Sequence, residues 1–456
     1  MKFPSLIQIS ESSIKPKYET KEAKKPYYLS PMDLMFLSCH YNQKGLLFTK
    51  LKNDDPFFID NLLESLKNSL ALTLVHFYPL AGQFESIIDK DQHRMLVFID
   101  SNKGSGVRFV HAKLDVTISD IVTPNVPSVV RSFFDFSDGE LNFDGHTRPL
   151  LSIQVTELID GIFIGCSMNH AIVDGTSYWH FWNVWSEIHR ANGKDVSISR
   201  SPIHDRWFPD GYGYKDTFFP YVNRNEFIHE FNPPPFEERF FHFSSETIAK
   251  LKARANQEIT NNNIVISSFQ ALAAFLWKSM VQAKGLKPDQ QTHCKLAANT
   301  RTRLNPSLPE EYFGNSLVVL TSTVTVGELF KNNLGWTASV VHQSVVNLTN
   351  KTVNDFADSW LKSPFVFSLD QKLDKDEGNS VQVGSSPRFN IYGNEFAGLG
   401  KPIAVRSGFA NKFDGKITVY PGFEGGGSVD AEISLSSAYM RALESNKEFM
   451  AVVSSP

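Results

Sequence analysis

The chain has 456 residues, 41% of them hydrophobic and 21% charged, with a formal net charge of -4. That length exceeds one ordinary core and favours two or three domains. The near-neutral balance gives no reason to expect nucleic acid or an anionic membrane as partner, and no apolar stretch approaches the ~20 residues that cross a bilayer.

The N-terminal Met1-Lys2-Phe3-Pro4-Ser5 lacks the long apolar core and small-residue cleavage site of a secretory signal. Residues 60–74 place Leu62, Leu63, Leu66, Leu70 and Leu74 at helical spacing, and the Pro79 and Gly82 that follow stop the helix. Residues 95–99 and 150–155 read as short strands. A longer apolar run, residues 162–168, predicts a buried strand. It leads through Asn169-His170-Ala171-Ile172-Val173-Asp174-Gly175 into a helical stretch bearing Trp179, Trp182 and Trp185. Between about 191 and 238 the pattern dissolves into polar residues, glycine and the run Pro233-Pro234-Pro235, which no helix or central strand accommodates, so this is a crossover linker. Beyond it, 240–243 reads as a strand, and Ser244 or Ser245 caps a helix through Ile248 and Leu251. Residues 267–280 and 334–347 read as helices and 318–320 as the start of a strand. The last hundred residues alternate short strands with glycine turns. The expectation is two α/β halves of similar size, residues 1–190 and 239–456, joined by the linker 191–238, with a small-molecule site between them. Three scattered cysteines, Cys39, Cys166 and Cys294, fit a reducing compartment, so the cytoplasm is the expected location.

A histidine and a carboxylate four residues apart, at a strand-to-helix junction, sit where folds present reactive groups, and histidine is the side chain best matched to accepting a proton near neutral pH. On its own, His170 is equally well read as a core histidine satisfied by a backbone carbonyl. The spacing leaves Asp174 either orienting the histidine or turning away from it. His76, His180, His189 and His342 fall in helical patterns or strand edges and need no functional reading. A zinc site wants three or four ligands, and neither Cys-x-x-Cys nor His-Glu-x-x-His occurs, so no metal is expected.

The segments Leu29-Ser30-Pro31-Met32-Asp33, Phe77 to Gly82, His170 to Gly175, Ser267 to Leu272, Arg301-Thr302-Arg303-Leu304, Leu308-Pro309, Tyr312-Phe313-Gly314-Asn315 and Gly400-Lys401-Pro402 come in an order and spacing that resembles the plant BAHD acyl-CoA-dependent acyltransferases. The tail, Ala404 to Gly408 and Asn411 to Lys416, resembles the branch with cuticle-associated and uncharacterised acetyltransferases. The resemblance implies two mixed-sheet α/β domains of chloramphenicol-acetyltransferase-like type and transfer of an acyl group from acyl-CoA to a hydroxyl or amine of a plant specialised metabolite. It implies His170 as general base, and Asp174 as a structural group paired with the arginine at Arg301, with Gly175 beside it. For coenzyme A it implies Ser267, Lys278, Ser385, Ser386, Gly400 and Lys401. Ser267 has a second reading as a helix cap, and Lys278 as a residue on a solvated face. No permanently bound cofactor is implied; acyl-CoA is a co-substrate, and a monomer acting on a small-molecule acceptor is expected.

The family's Asp-Phe-Gly-Trp-Gly element, which the resemblance places near the coenzyme, is altered here to Glu395-Phe396-Ala397-Gly398-Leu399-Gly400. A glutamate can keep an ion pair that an aspartate made, whereas losing the indole removes packing area and an N–H donor. Two competing readings follow. A coenzyme-independent lyase or intramolecular acyl transfer keeps the fold and His170 and is favoured by the altered loop. A silent binding protein is disfavoured by the intact His170 to Gly175 segment.

Overall fold

The computed structural model describes residues 3–50, 57–136, 139–191, 197–228, 233–259, 264–368 and 378–454. Two six-stranded mixed sheets form its frame, with a three-stranded sheet beside the first. In the first sheet the strands lie in the order Ile7–Ile14, Val107–Lys113, Leu151–Glu157, Gly161–Met168, Asn42–Thr49 and Ala404–Ser407. Gly161–Met168 is buried along its whole length between two antiparallel neighbours, which is why it reads as a continuous apolar run rather than an alternating one. The helices Phe58–His76 and Gly175–Arg190 pack together. Leu66, Leu70, Leu74, Trp182 and Trp185 are fully buried, and the Trp185 indole N–H donates to Ser69 Oγ at 3.1 Å. A separate cluster holds Phe133, Phe134 and Phe163.

The second sheet runs Leu317–Thr325, Gln291–Asn299, Ser380–Ser385, Lys416–Pro421, Val429–Leu435 and Glu237–Phe243. The helix Ser268–Lys284 shares its core, burying Leu272, Leu276 and Met280 there.

The expected elements are present with ends shifted by a few residues, and the mixed-sheet α/β class is the observed one. Three features depart from the expectation. Glu237 and Glu238 belong to a strand of the second sheet, so the linker ends before 238. The described part of that linker packs against both halves. Arg206 is buried between the halves, with its guanidinium over the rings of Tyr27 and Tyr312 and hydrogen bonds to Asp33 and the Phe313 carbonyl. The strand Ala404–Ser407 crosses back to pair with Asn42–Thr49, and the helix Asn350–Lys362 adds Val353, Ala357 and Trp360 to the first core. The stretch 239–456 therefore builds part of both halves. Its end also holds two short helices, Ser437–Glu444 and Lys447–Val452, which glycine punctuation alone does not reveal.

Candidate active site

Where Gly161–Met168 ends, three asparagines fix the path of the chain. Asn142 Oδ1 accepts from the His170 amide at 2.8 Å, and Asn315 Nδ2 donates to the His170 carbonyl at 2.8 Å. Asn169 donates to the Asn142 carbonyl at 2.8 Å and accepts from the Ala171 amide at 3.0 Å. Asn315 is itself anchored, its backbone and side-chain N–H groups both meeting Asp33 Oδ1, at 2.8 and 3.1 Å. A residue held at both its N–H and its C=O has a fixed Cα–Cβ direction.

The His170 ring stacks flat on Phe36, with centroids 4.4 Å apart and planes 2° from parallel. Its Nδ1 is enclosed without a hydrogen-bond partner, whereas Nε2 is not enclosed. Lost hydration pushes its pKa down to about 4. Its own carbonyl opposes that shift, the positive charges of Lys44 and Lys416 add to it, and Asp174 weakly opposes it. The ring is therefore neutral at pH 7.

Asp174 turns away from His170. It caps the helix Gly175–Arg190, accepting from the Ser177 amide at 2.9 Å, and also accepts from the Ser316 amide at 3.0 Å. Arg301 grips it bidentately, Nη1 to Oδ2 at 2.5 Å and Nη2 to Oδ1 at 3.1 Å. Burial alone would raise the Asp174 pKa; the Arg301 charge and these hydrogen bonds outweigh it and hold the carboxyl below its ordinary value. Arg301 Nη2 also donates to the Tyr312 and Gly314 carbonyls, each at 3.0 Å, so one buried pair ties the first half to the second.

A cavity of about 410 Å³ opens at the start of that helix, lined by Asp174, Gly175 and Thr176 from one half and by Ser267, Ser385 and Ser386 from the other. Arg303, Arg388 and Phe389 line it as well. A Cβ on Gly175 would come within 2.9 Å of the Phe389 ring, so glycine is what lets the second half close over the helix end. Ser385 holds a left-handed backbone (φ 69°), and its hydroxyl is buried without a partner on the cavity wall. Arg303 and Arg388 are exposed and form no ion pair among the described residues.

Three residues expected at the coenzyme do not line this cavity. Ser267 caps its helix through Gln270 while facing the cavity, but Lys278 is eleven residues farther along, about 16 Å at 1.5 Å per residue. There Lys278 Nζ donates to the Leu329 and Asn332 carbonyls and lines a separate hollow. Gly400 and Lys401 do not line the cavity. Their loop folds back on itself, Phe396 N–H donating to the Gly400 carbonyl at 3.0 Å, with Gly398 and Gly400 at φ 83° and 74°. Phe396 plugs into Trp182 and Trp185, and the Ala397 N–H donates to His189 Nδ1 at 3.1 Å. Glu395 makes no ion pair among the described residues, so the charge it could have preserved is not used in that way.

Sequence reasoning did not single out Asn142, Asn315, Phe36, Arg206 or Arg303 for the site. Asn315 and Arg303 stood within segments that already drew attention; Asn142 carried no local signal. Among the described residues no group of histidine, cysteine and carboxylates is arranged to hold a metal, and no helix is long and apolar enough to cross a membrane.

The profile of the Transferase family matches residues 5–450. The BAHD acyltransferase DCR of Arabidopsis thaliana is 36% identical over 459 residues, covering 97% of this chain and 92% of its own length. The crystal structure of vinorine synthase is similar with a TM-score of 0.71 at 22% identity, covering 99% of each chain. That of TRI101 from F. sporotrichioides complexed with coenzyme A and T-2 matches with a TM-score of 0.71 at 18% identity, covering 94% of this chain and 98% of the other.

Proposed function

Because the chain belongs to the Transferase family of BAHD acyltransferases, we propose that it moves an acyl group from acyl-coenzyme A to a hydroxyl or amine of a plant small molecule, with His170 as general base. An alcohol is not ionised at pH 7, so its proton must leave as it attacks the thioester carbonyl. His170 Nε2 takes that proton; the new C–O or C–N bond forms as the C–S bond breaks, and the imidazolium returns a proton to the departing thiolate. The observation that carries this reading is His170 itself: its ring neutral, its backbone held at both N–H and C=O, and its ring bonded to no other side chain among the described residues. Asp174 serves architecture in this scheme, since its oxygens are taken by Arg301 and two amides.

The cavity at the start of the helix Gly175–Arg190 suits the donor. Coenzyme A needs cations for its phosphates, and Arg303 and Arg388 supply them; the pantetheine arm needs hydroxyls and apolar wall, supplied by Ser267, Ser385 and Phe389. The structural neighbour TRI101, whose crystal structure is a complex with coenzyme A, supports this use of the fold. The altered loop from Glu395 to Gly400 packs against the tryptophans instead and so lends the coenzyme-independent reading no support.

The test is His170→Ala assayed with a panel of acyl-CoA donors and a plant extract, following free thiol and new ester or amide masses. Turnover is expected to fall by on the order of 10²–10⁴-fold with the melting temperature kept. A variant retaining more than about a third of wild-type activity removes His170 from the role of base.

A further inference from the structure

The strand Asn42–Thr49 sets Asn42 opposite Met168 and Lys44 opposite Cys166. Residues two apart on a strand share a face, and Lys44 lies back along that face, its Nζ donating to Asn42 Oδ1 at 2.7 Å. The ammonium is thereby carried to the strand end beside which the neighbouring strand sends out His170, and its charge acts on that ring. On its other flank Lys44 pairs with Ser407 of the strand that crosses from the second half, and the Tyr178 ring centre lies 5.8 Å from Nζ. Lys44 and His170 both keep partial solvent exposure. Both have also lost enough hydration to lower their pKa values, to about 8 for Lys44. Both side chains are thus largely enclosed and still reached by solvent.

Lys44 has no acid of its own. The carboxylate acting on it is Glu432, whose oxygens are already taken. Oε1 accepts from Lys412 at 2.8 Å, and Oε2 accepts from the Tyr420 hydroxyl at 3.1 Å and from Ser407. Lys412 also binds Glu238 at 2.5 Å. Among the described residues Lys44 forms no ion pair, and its acceptor, Asn42 Oδ1, is neutral. An ammonium carries three donor protons, and a poorly hydrated charge with one neutral partner is costly until an anion completes it.

We infer that Lys44 binds a carboxylate of the acceptor, so that this protein acylates hydroxy or amino acids in preference to neutral alcohols. The inference rests on the acyl-transfer reading above. A carboxylate held on Lys44 fixes one end of the acceptor while its hydroxyl or amine is presented to Nε2 of His170. A neutral alcohol in the same position leaves the ammonium uncompensated, and buried polar groups discriminate against analogues that fail to pair with them.

The test uses the whole chain with a panel of acyl-coenzyme A donors and a plant extract, one half of which is treated with trimethylsilyldiazomethane so that carboxylic acids become methyl esters. Wild type is expected to release thiol at least about tenfold more slowly with the methylated half. With the untreated half, Lys44→Met is expected to fall by about tenfold while keeping its melting temperature and coenzyme A affinity, and Lys44→Arg to recover most of the rate. Equal rates on the two halves, or Lys44→Met above about a third of the wild-type rate, overturns the inference and leaves acyl transfer standing. If neither half gives thiol release with any donor, the acyl-transfer reading is what fails, and calorimetry with 4-hydroxycinnamate and its methyl ester decides the carboxylate site. Binding of the acid about tenfold tighter than the ester, lost in Lys44→Met, upholds the site. Equal binding, or none, overturns it.

Discussion

His170 is neutral at pH 7 because lost hydration and the charges of Lys44 and Lys416 push its pKa down to about 4. A base must begin unprotonated, so kcat/KM is expected to hold steady from about pH 7 to about pH 5 and on the acid side to decline only below that, where an ordinary histidine would already titrate near 6.5. An acid limb centred at about 6.5 contradicts the assignment of turnover to this ring. Stability shares the sign. The folded value lies below the unfolded one, so the unfolded chain binds the proton more readily; the His170 contribution is complete above about pH 6.5 and is lost as pH falls toward about 4. The histidine itself was legible from sequence because a buried strand, a turn and a helix meet around it. Its supports were not. The bonds to Asn142 and Asn315 join residues 28 and 145 positions apart, and separations of that kind leave no periodic trace.

Asp174 and Arg301 act on the scale of elements. The carboxylate closes the first turn of Gly175–Arg190, and the guanidinium holds the short turn Arg301–Arg303 of the other half against it. Removing one partner strands a buried charge, so Asp174→Ala and Arg301→Ala are each expected to cost about 3–5 kcal/mol in urea unfolding. The double variant should cost less than the sum of the singles, because the two share one interaction. Strict additivity, or lost turnover at Asp174 without lost stability, returns the carboxylate to an orienting role. The altered loop gives a second case. Leu399 is 3% exposed within the first core, so restoring the family's tryptophan there overfills a packed site. The graft is expected to destabilise by about 1–3 kcal/mol while leaving the pH profile in place. Helices and strands were legible here wherever apolar spacing was strong, as in Phe58–His76. The two terminal helices, Ser437–Glu444 and Lys447–Val452, are too short to hold a convincing repeat.

Across the whole molecule the halves are joined by more than the linker. Ala404–Ser407 extends the first sheet, Arg206 bridges Asp33 to the Phe313 carbonyl, and Arg301 reaches Asp174. The prolines marked a crossover in the sequence; the return of four residues to the first sheet left no such mark, since Ala-Val-Arg-Ser carries nothing that names its partner strand. These ties make the cleft a fixed frame rather than a hinge between loose bodies, and a ligand seated across it stabilises both halves at once. The proposed donor is such a ligand, because Thr176 and Gly175 line the cavity from one half and Ser385, Arg303 and Arg388 from the other. Coenzyme A at a hundredfold excess over its Kd is expected to stabilise the protein by about 2.7 kcal/mol, seen as a rise in melting temperature and as heat in calorimetry. Arg303→Glu and Arg388→Glu together should abolish most of that rise without unfolding the protein, since both side chains are exposed, and added salt should weaken what remains. No binding of coenzyme A or of a non-hydrolysable acyl analogue at about millimolar concentration, roughly -4 kcal/mol, in the folded protein, would take away the acyl-CoA donor and leave His170 to a reaction that brings its own leaving group.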